Sequence, residues 1–386
     1  MEIWELNLRH LAAIAKIVEL GTMSAAAQAV NLTQPAITQA LERIERLTAT
    51  PLFERRHNGM VATAAAQLFV PRIHAALAHV TSRHVTMSRL RALLALADAG
   101  SYGGASLRTG LSVPSLHRAV NDLALALRRP LAERRGRIVM LTEAGTALAR
   151  NFRLARVELE AGLAELEALR GHETRSIAVG AMPLSRARVL PAAIARFLKR
   201  HPQVRVAIVE GSRAELVDPL RCGAIDCMVG ALRDPLVEPD LVQQPLFRDR
   251  LAVIARAGHP LAGGSPTLAE LATFPWIVAS PGAPLHDSFR QMFAGAGLAL
   301  PAAPIASGSV MTIRQLLIDS DFLTLLSLDQ VAVELEARWL TVLRPAPAGL
   351  ERTIGVTTRA AWRPTAVQAE FLRDLQAVSS GAGRPA

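Results

Sequence analysis

Ser24-Ala25-Ala26-Ala27, Leu32-Thr33-Gln34-Pro35-Ala36-Ile37-Thr38-Gln39 and Ile44-Glu45 follow one another near the start of the chain, and their order decides the fold. Ahead of them, Leu11, Ile14, Ile17 and Val18 recur at helical spacing, and Gly21 ends that helix at a position suited to left-handed backbone. Ser24 is placed to cap the next helix, whose alanines let two helix backbones approach closely. Asn31-Leu32 turns the chain. Thr33 caps a third helix, and Pro35 sits in its first turn, where the missing N–H costs nothing. Ile37, Leu41 and Ile44 fix one face of that helix on a core. Gln34, Thr38, Gln39, Glu42, Arg43 and Arg46 face outward. The pattern predicts a helix-turn-helix whose outer groups match base edges: Gln for adenine, Arg for guanine, Thr for a thymine methyl. A solvated polar face is the other reading of the same residues.

Downstream, Leu52-Phe53-Glu54-Arg55-Arg56 leads to Asn58-Gly59, a strong hairpin turn, and then to Val61 and Thr63. A basic hairpin beside the third helix is a wing, suited to phosphates or the minor groove. The candidate DNA contacts of this region are Ser24, Thr33, Gln34, Pro35, Thr38, Gln39, Arg43, Arg55 and Arg56.

The whole unit then occurs again. Residues 10–66 match residues 89–145 at a constant offset of 79 without a gap. Gly21, Pro35, Pro51, Leu52, Glu54, Arg55, Arg56 and Thr63 fall on Gly100, Pro114, Pro130, Leu131, Glu133, Arg134, Arg135 and Thr142. Two copies make a duplicated domain, not a solenoid. Copy two departs from copy one in places. Gly103 and Gly104 replace Ser24 and Ala25, which predicts a second helix without its cap and with two weak helix formers. Val113 replaces Gln34. The outer face keeps Ser115, His117, Arg118 and Asp122, and the wing reads Arg134-Arg135-Gly136-Arg137. Copy two is either a degraded duplicate used for packing or a phosphate-binding module with weak readout. Ser115, His117, Arg118, Arg134 and Arg135 are its candidate DNA contacts.

The ordered motif of copy one resembles the N-terminal winged helix of LysR-type transcriptional regulators. That resemblance implies a DNA-binding head, a long linker helix that dimerises, and a two-lobed effector domain. Subtracting one 79-residue repeat from 386 leaves 307, close to the length of a single-headed member. The expected partners are operator DNA in duplex form, a small-molecule effector, and further copies of the chain as a homodimer or homotetramer.

After Thr142, Leu148, Phe152, Ala155, Leu159, Leu163, Leu166 and Leu169 form a stripe, flanked by Glu158, Glu160, Glu165 and Glu167. The stripe reads as a coiled-coil seam against a partner helix, with packing inside the chain as the alternative. Phe69, Ile73, Leu77 and Val80 offer a second, shorter seam.

From Ser176 strands and helices alternate, which predicts parallel sheets with right-handed crossovers. Leu251–Ala255 passes to a second lobe, and Ile354–Thr357 with the final helix returns to the first. The expected division is winged helix 6–64, linker 65–86, winged helix 87–143, linker 144–173, lobe I 174–250 with 355–378, lobe II 251–354, and a flexible tail 379–386. The fold class is therefore α+β multidomain, with two winged helices and a two-lobed α/β domain that resembles the periplasmic-binding type. Ligands in such lobes lie at strand carboxyl ends and helix N-termini. This selects Met182, Pro183, Leu184, Ser185, Leu232, Ser280, Gly282 and Ser309 as the effector site. Val179-Gly180-Ala181-Met182-Pro183 and Gly230-Ala231-Leu232 resemble the branch of galactose-binding-protein regulators, which implies a sugar or sugar acid. Trp276 and Phe289 are the candidate stacking residues.

Composition narrows the alternatives. Residues 1–175 hold 22 Lys+Arg against 15 Asp+Glu, so +7 of the total +10 lies there, as a polyanion partner would require. Cys222 and Cys227 cannot staple a chain of this size, and a redox switch between them is a minor alternative. The start has no secretory pattern, and no apolar run is long enough to span a membrane, so a cytoplasmic protein is expected. The ten histidines lack ligand spacing, and no nucleotide-binding loop appears. The sequence predicts a regulator without catalytic residues, metal or cofactor. The rival class is a cytoplasmic two-lobed solute-binding or redox-sensing protein.

Overall fold

The computed structural model describes residues 3–57, 59–80, 82, 84–136, 138–171 and 176–382. They form two compact units that meet in sequence between Arg175 and Ser176.

In the first unit, copy one runs α1 (Leu8–Leu20), α2 (Met23–Ala29), α3 (Gln34–Thr48), β1 (Phe53–Arg56), β2 (Gly59–Ala62) and α4 (Ala64–Ala78). Copy two runs α5 (Met87–Ala99), α6 (Tyr102–Thr109), α7 (Val113–Leu127), β3 (Ala132–Arg135), β4 (Ile138–Leu141) and α8 (Glu143–Leu169). The repeat extends to detail. Gly21 and Gly100 end α1 and α5 at φ of 74° and 65°, and Ala49 and Arg128 end α3 and α7 at 47° and 52°. The hairpins share one register, Phe53 opposite Ala62 and Ala132 opposite Leu141. Thr63 donates to Pro51 O at 2.9 Å, and Thr142 donates to Pro130 O at 2.8 Å. These bonds tie each wing to the helix that follows it.

Two capping expectations are corrected. Thr22, not Ser24, caps α2, accepting from Ala25 N at 3.2 Å. Copy two keeps its cap as well, since Ser101 accepts from Gly104 N at 3.0 Å. Both hydroxyls stand one position before the helix, two residues earlier than the serine singled out. Thr22→Ala and Ser101→Ala should each lower the stability of the first unit by about 1 kcal/mol in urea unfolding, while Ser24→Ala should change it little.

The α8 stripe is also corrected. Leu148, Phe152, Ala155, Leu159 and Leu166 are buried inside the chain, in one core continuous with both copies, and α8 packs along α4. Glu158 and Glu165 are not solvated flanks. Both clasp Arg72 of α4, with Nη1 to Glu158 at 3.0 Å and Nη2 to Glu165 at 2.6 Å. The partner helix that the stripe requires is thus α4, and only Leu169 at its end is exposed. Asn58 and Arg137 of the wing tips lie outside the described residues.

The second unit begins with β5 (Ser176–Ala181), α9 (Val189–Leu198), β6 (Arg205–Glu210), α10 (Arg213–Arg221), β7 (Cys227–Ala231) and β8 (Leu241–Asp249). Lobe II contains β9 (Leu251–Arg256), α11 (Leu268–Leu271), β10 (Trp276–Val278), α12 (Pro284–Ala294), β11 (Ile305–Ala306), α13 (Val310–Ile318), β12 (Leu323–Ser327), α14 (Ala332–Glu336) and β13 (Leu340–Pro345). The chain returns through β14 (Arg352–Arg359) and α15 (Ala366–Ala382).

Each lobe is a five-stranded sheet, β6-β5-β7-β14-β8 in lobe I and β11-β10-β12-β9-β13 in lobe II. The sheets are mixed, not purely parallel. The strand–helix repeats β5-β6-β7 and β10-β11-β12 pair in parallel, while the crossing strands β14 and β9 enter antiparallel to β7 and β12. The strand–helix pattern carries the parallel part only. β8 has no helix before it, so the alternation does not announce it. The tail expected from residue 379 is helix as far as Ala382, with Ser379 buried and donating to Leu375 O at 2.6 Å.

Candidate nucleic-acid interface and effector cavity

The outer face of α3 follows from its buried one. Ile37, Ala40, Leu41 and Ile44 pack inward, which leaves Gln34, Pro35, Gln39 and Arg43 exposed. Thr33 caps the helix, accepting from Ala36 N at 3.4 Å. Thr38 is half-buried, and its hydroxyl donates to Gln34 O at 3.2 Å. Glu45 faces the other way and accepts from Leu52 N at 2.7 Å and Phe53 N at 3.3 Å. That carboxylate fixes the wing against the recognition helix, a role absent from the sequence reading. Ala124 stands at the same place in copy two. Ser24 is exposed in the first turn of α2. Arg55 and Arg56 are exposed on β1, and Arg56 also pairs with Glu54 at 3.0 Å.

Copy two presents Val113, Ser115, His117 and Arg118 on the outer face of α7. His117 is held by Asn121 at 3.2 Å and by an edge contact with Tyr102. Ser115 is 2.8 Å from the hydroxyl of Ser112. Arg134 is exposed on β3, with Nε donating to Gly136 O at 3.1 Å. Arg135 lies on the same strand, and its side chain is outside the description.

Within the second unit a cavity of about 550 Å³ lies against both lobes. Met182, Pro183, Leu184, Ser280 and Gly282 line it. The other three expected residues do not. Ser185 is fully buried and donates to Met182 O at 2.9 Å, closing the turn after β5. Leu232 sits between two lining residues, Ala231 and Arg233, but its side chain turns toward Gly355. Ser309 caps α13 and faces a neighbouring cleft. Trp276 and Phe289 are buried in the lobe II core and offer no stacking face.

The sequence reading missed the charged part of the cavity. Arg213, Arg233 and Arg352 line it, and no carboxylate does. The first residues of α10, α12 and α13 line it too, so three helix N-termini add positive potential. Arg213 pairs with Glu238 through Nη2 at 2.8 Å, while Nη1 is buried with no hydrogen-bond partner. Arg352 pairs with Asp249 at 2.5 Å. Burial raises the Asp249 carboxyl above the ordinary aspartate range, and Arg352 opposes that rise. The side chain of Gln243 brackets Arg233, accepting from its N–H and donating to its carbonyl at 2.9 and 2.8 Å. Sequence separation hides this set: the arginines come from α10, the β7–β8 loop and β14.

Cys227 is buried in β7, and burial pushes its thiol far above the ordinary range, which suppresses the thiolate that redox chemistry needs. Among the described residues no cluster of His, Cys, Asp and Glu could hold a metal ion, and no helix is long and apolar enough to cross a membrane.

Comparison with known proteins agrees with this build. Residues 8–67 and 87–146 each match the bacterial regulatory helix-turn-helix protein family, lysR type. Residues 170–379 match the LysR substrate binding domain. The transcriptional regulator GalR of Pseudomonas putida is 33% identical over 366 residues, covering 92% of this chain and 92% of that protein. Such coverage cannot leave out either winged copy. Among solved structures, full-length LysG of Corynebacterium glutamicum with its effector arginine has a TM-score of 0.55 at 18% identity, over 76% of this chain and 97% of that one. Full-length CbnR in complex with its target DNA has a TM-score of 0.53 at 19% identity, over 75% and 98%. Those two show the shared fold, and the sequence matches carry the assignment further: this chain belongs to the LysR family of DNA-binding transcription regulators with an effector-binding domain.

Proposed function

We propose that this regulator responds to a small organic anion, such as a sugar acid, held in the 550 Å³ cavity by Arg213, Arg233 and Arg352. The observation that carries the reading is the buried, unpartnered Nη1 of Arg213 in a cavity lined by three arginines and no carboxylate. A buried donor without a partner is costly, and a ligand carboxylate removes that cost. The rest of the lining is mainly aliphatic and has no aromatic ring, which fits a compact acid better than a ring that needs stacking. Galacturonate and galactose share the pyranose ring and differ at C6, a carboxylate in place of a hydroxymethyl group, and they make a direct pair of probes. Small sugar acids should raise the melting temperature of the full-length protein and shift its DNA affinity, and the matching neutral sugars should do neither. Equal responses to acid and sugar would overturn the anionic assignment.

On the DNA side, Gln34, Thr38, Gln39 and Arg43 supply base readout, and Arg55, Arg56, Arg134 and Arg135 supply phosphate contacts. Gln34→Ala should reduce discrimination between the best duplex and a single-base variant by about 1–3 kcal/mol, measured by competition binding. Unchanged discrimination would remove Gln34 from the reading set. The protein acts as a homodimer or homotetramer.

A further inference from the structure

The two winged helices are not beads on a string. One hydrophobic core runs through both copies and through α4 and α8. Beside it Arg72 of α4 is clasped by Glu158 and Glu165 of α8, with side-chain exposures of 6%, 10% and 11%. The two helices approach closely at Gly162, where a Cβ would meet Phe69 Cδ2 at 2.7 Å and Arg72 Cβ at 3.0 Å. This is a close-packed joint.

The relation between the copies is visible in a second place. A cavity of about 570 Å³ is lined by residues 4–9 and 84–89, together with Arg43 of α3. At the repeat offset of 79, residues 5–9 correspond to 84–88. Asn7 caps α1 and Thr86 caps α5, so equivalent caps face one space. Arg91 of copy two lies over the ring of Trp4, a lining residue, at 5.7 Å. Equivalent segments face each other when two domains are related by a local two-fold. They do not when one follows the other by simple translation. A two-fold is the symmetry with which paired helix-turn-helix heads meet two half-sites of a duplex.

The two heads differ in what they present. Gln34, Thr38, Gln39 and Arg43 on α3 correspond to Val113, His117, Arg118 and Asp122 on α7. Arg43 is exposed, whereas Asp122 lies 3.9 Å from Arg89.

Resting on the DNA-binding assignment, we propose that a single chain carries a built-in pair of heads and reads one asymmetric, two-part site: one half-site by α3 and a second, of different sequence, by α7. Because the joint is close-packed, the second contact follows the first without a second chain, and the packing sets one spacing between half-sites.

The test is selection from duplexes carrying about 40 random base pairs, using the full-length protein, Gln34→Ala/Gln39→Ala and Arg118→Ala/Arg134→Ala. All substituted residues are exposed, and circular dichroism checks folding. The wild type should enrich two unlike elements at one spacing, and an oligomer repeats that pair as a unit. The α3 variant should lose only the first element, and the α7 variant only the second. Inserting about five base pairs, half a helical turn, between the elements should weaken binding by about 10²-fold. Enrichment of identical elements, lost together in the α3 variant and retained within about twofold in the α7 variant, would overturn the proposal while leaving DNA binding intact. No enrichment by the wild type would overturn the DNA-binding assignment itself, and the proposal with it.

Discussion

Arg72→Ala is expected to destabilise the N-terminal unit by about 3–5 kcal/mol, the cost of stranding buried charge. Removing the guanidinium leaves Glu158 and Glu165 without their shared cation in the core joint, each with little access to water. Burial is the largest single influence on Arg72 and pulls its pKa down, but hydrogen bonds to Glu165 and Glu158 outweigh it and hold the pKa above the ordinary value. The two carboxylates thus favour the charged guanidinium. For a unit of this size the loss corresponds to roughly 10 °C in the melting transition, read by calorimetry. A triple replacement, Arg72→Met with Glu158→Leu and Glu165→Met, separates charge from packing. It should recover most of the lost stability, because apolar groups of similar volume replace buried ion pairs at little net cost. A triple variant as unstable as Arg72→Ala would mean that packing at Gly162, not stranded charge, sets the joint.

Arg213→Gln should weaken effector binding by about 10- to 150-fold, the range of one lost hydrogen bond to a charged group. Stability without effector should change little, since Glu238 is partly exposed. Arg352→Gln should weaken effector binding similarly but also cost stability, because Asp249 is almost fully buried. The pH dependence distinguishes them. Burial already raises the Asp249 carboxyl above its unfolded value, and without Arg352 the rise is larger. A group raised in the folded state is stabilising in its protonated form, so stability is full below the unfolded pKa and falls as pH rises through the folded one. Arg352→Gln should thus be least stable at neutral pH and recover in mild acid. Arg213→Gln should show no such recovery. Isothermal titration and thermal unfolding from pH 5 to 8 read both effects.

These expectations rest on residues of unequal visibility in the sequence. The repeat was plain because its markers are punctuation: Gly21 and Gly100, Pro35 and Pro114, Thr63 and Thr142 sit where backbone geometry demands them. The inward face of α3 followed from helical periodicity. The caps were misplaced because Thr22 and Ser24 are both competent, and only the backbone turn at Gly21 selects between them. The seam of α8 showed as a stripe, but a stripe says that a helix needs a neighbour and not which one. α4 fills that place through Arg72, 86 residues before Glu158. The cavity arginines were invisible for the same reason. Nothing local marks Arg213, Arg233 or Arg352, and only the closing of β14 into the lobe I sheet brings Arg352 near α10. Trp276 and Phe289 invited a stacking role by type, yet the lobe II sheet needs their bulk for its core.

We expect the duplicated winged helix to grip duplex DNA through its wings and to read it through its recognition helices. The most direct measurement is the slope of log Kobs against log salt for the full-length protein on its best selected duplex. Each lost phosphate contact should reduce that slope by about 0.9. The wild-type slope should be steep, with a decrease of about 1.8 in Arg55→Ala/Arg56→Ala, a further decrease when Arg134→Ala is added, and no change in Gln34→Ala. A slope near zero, or one that the wing substitutions leave untouched, would contradict it.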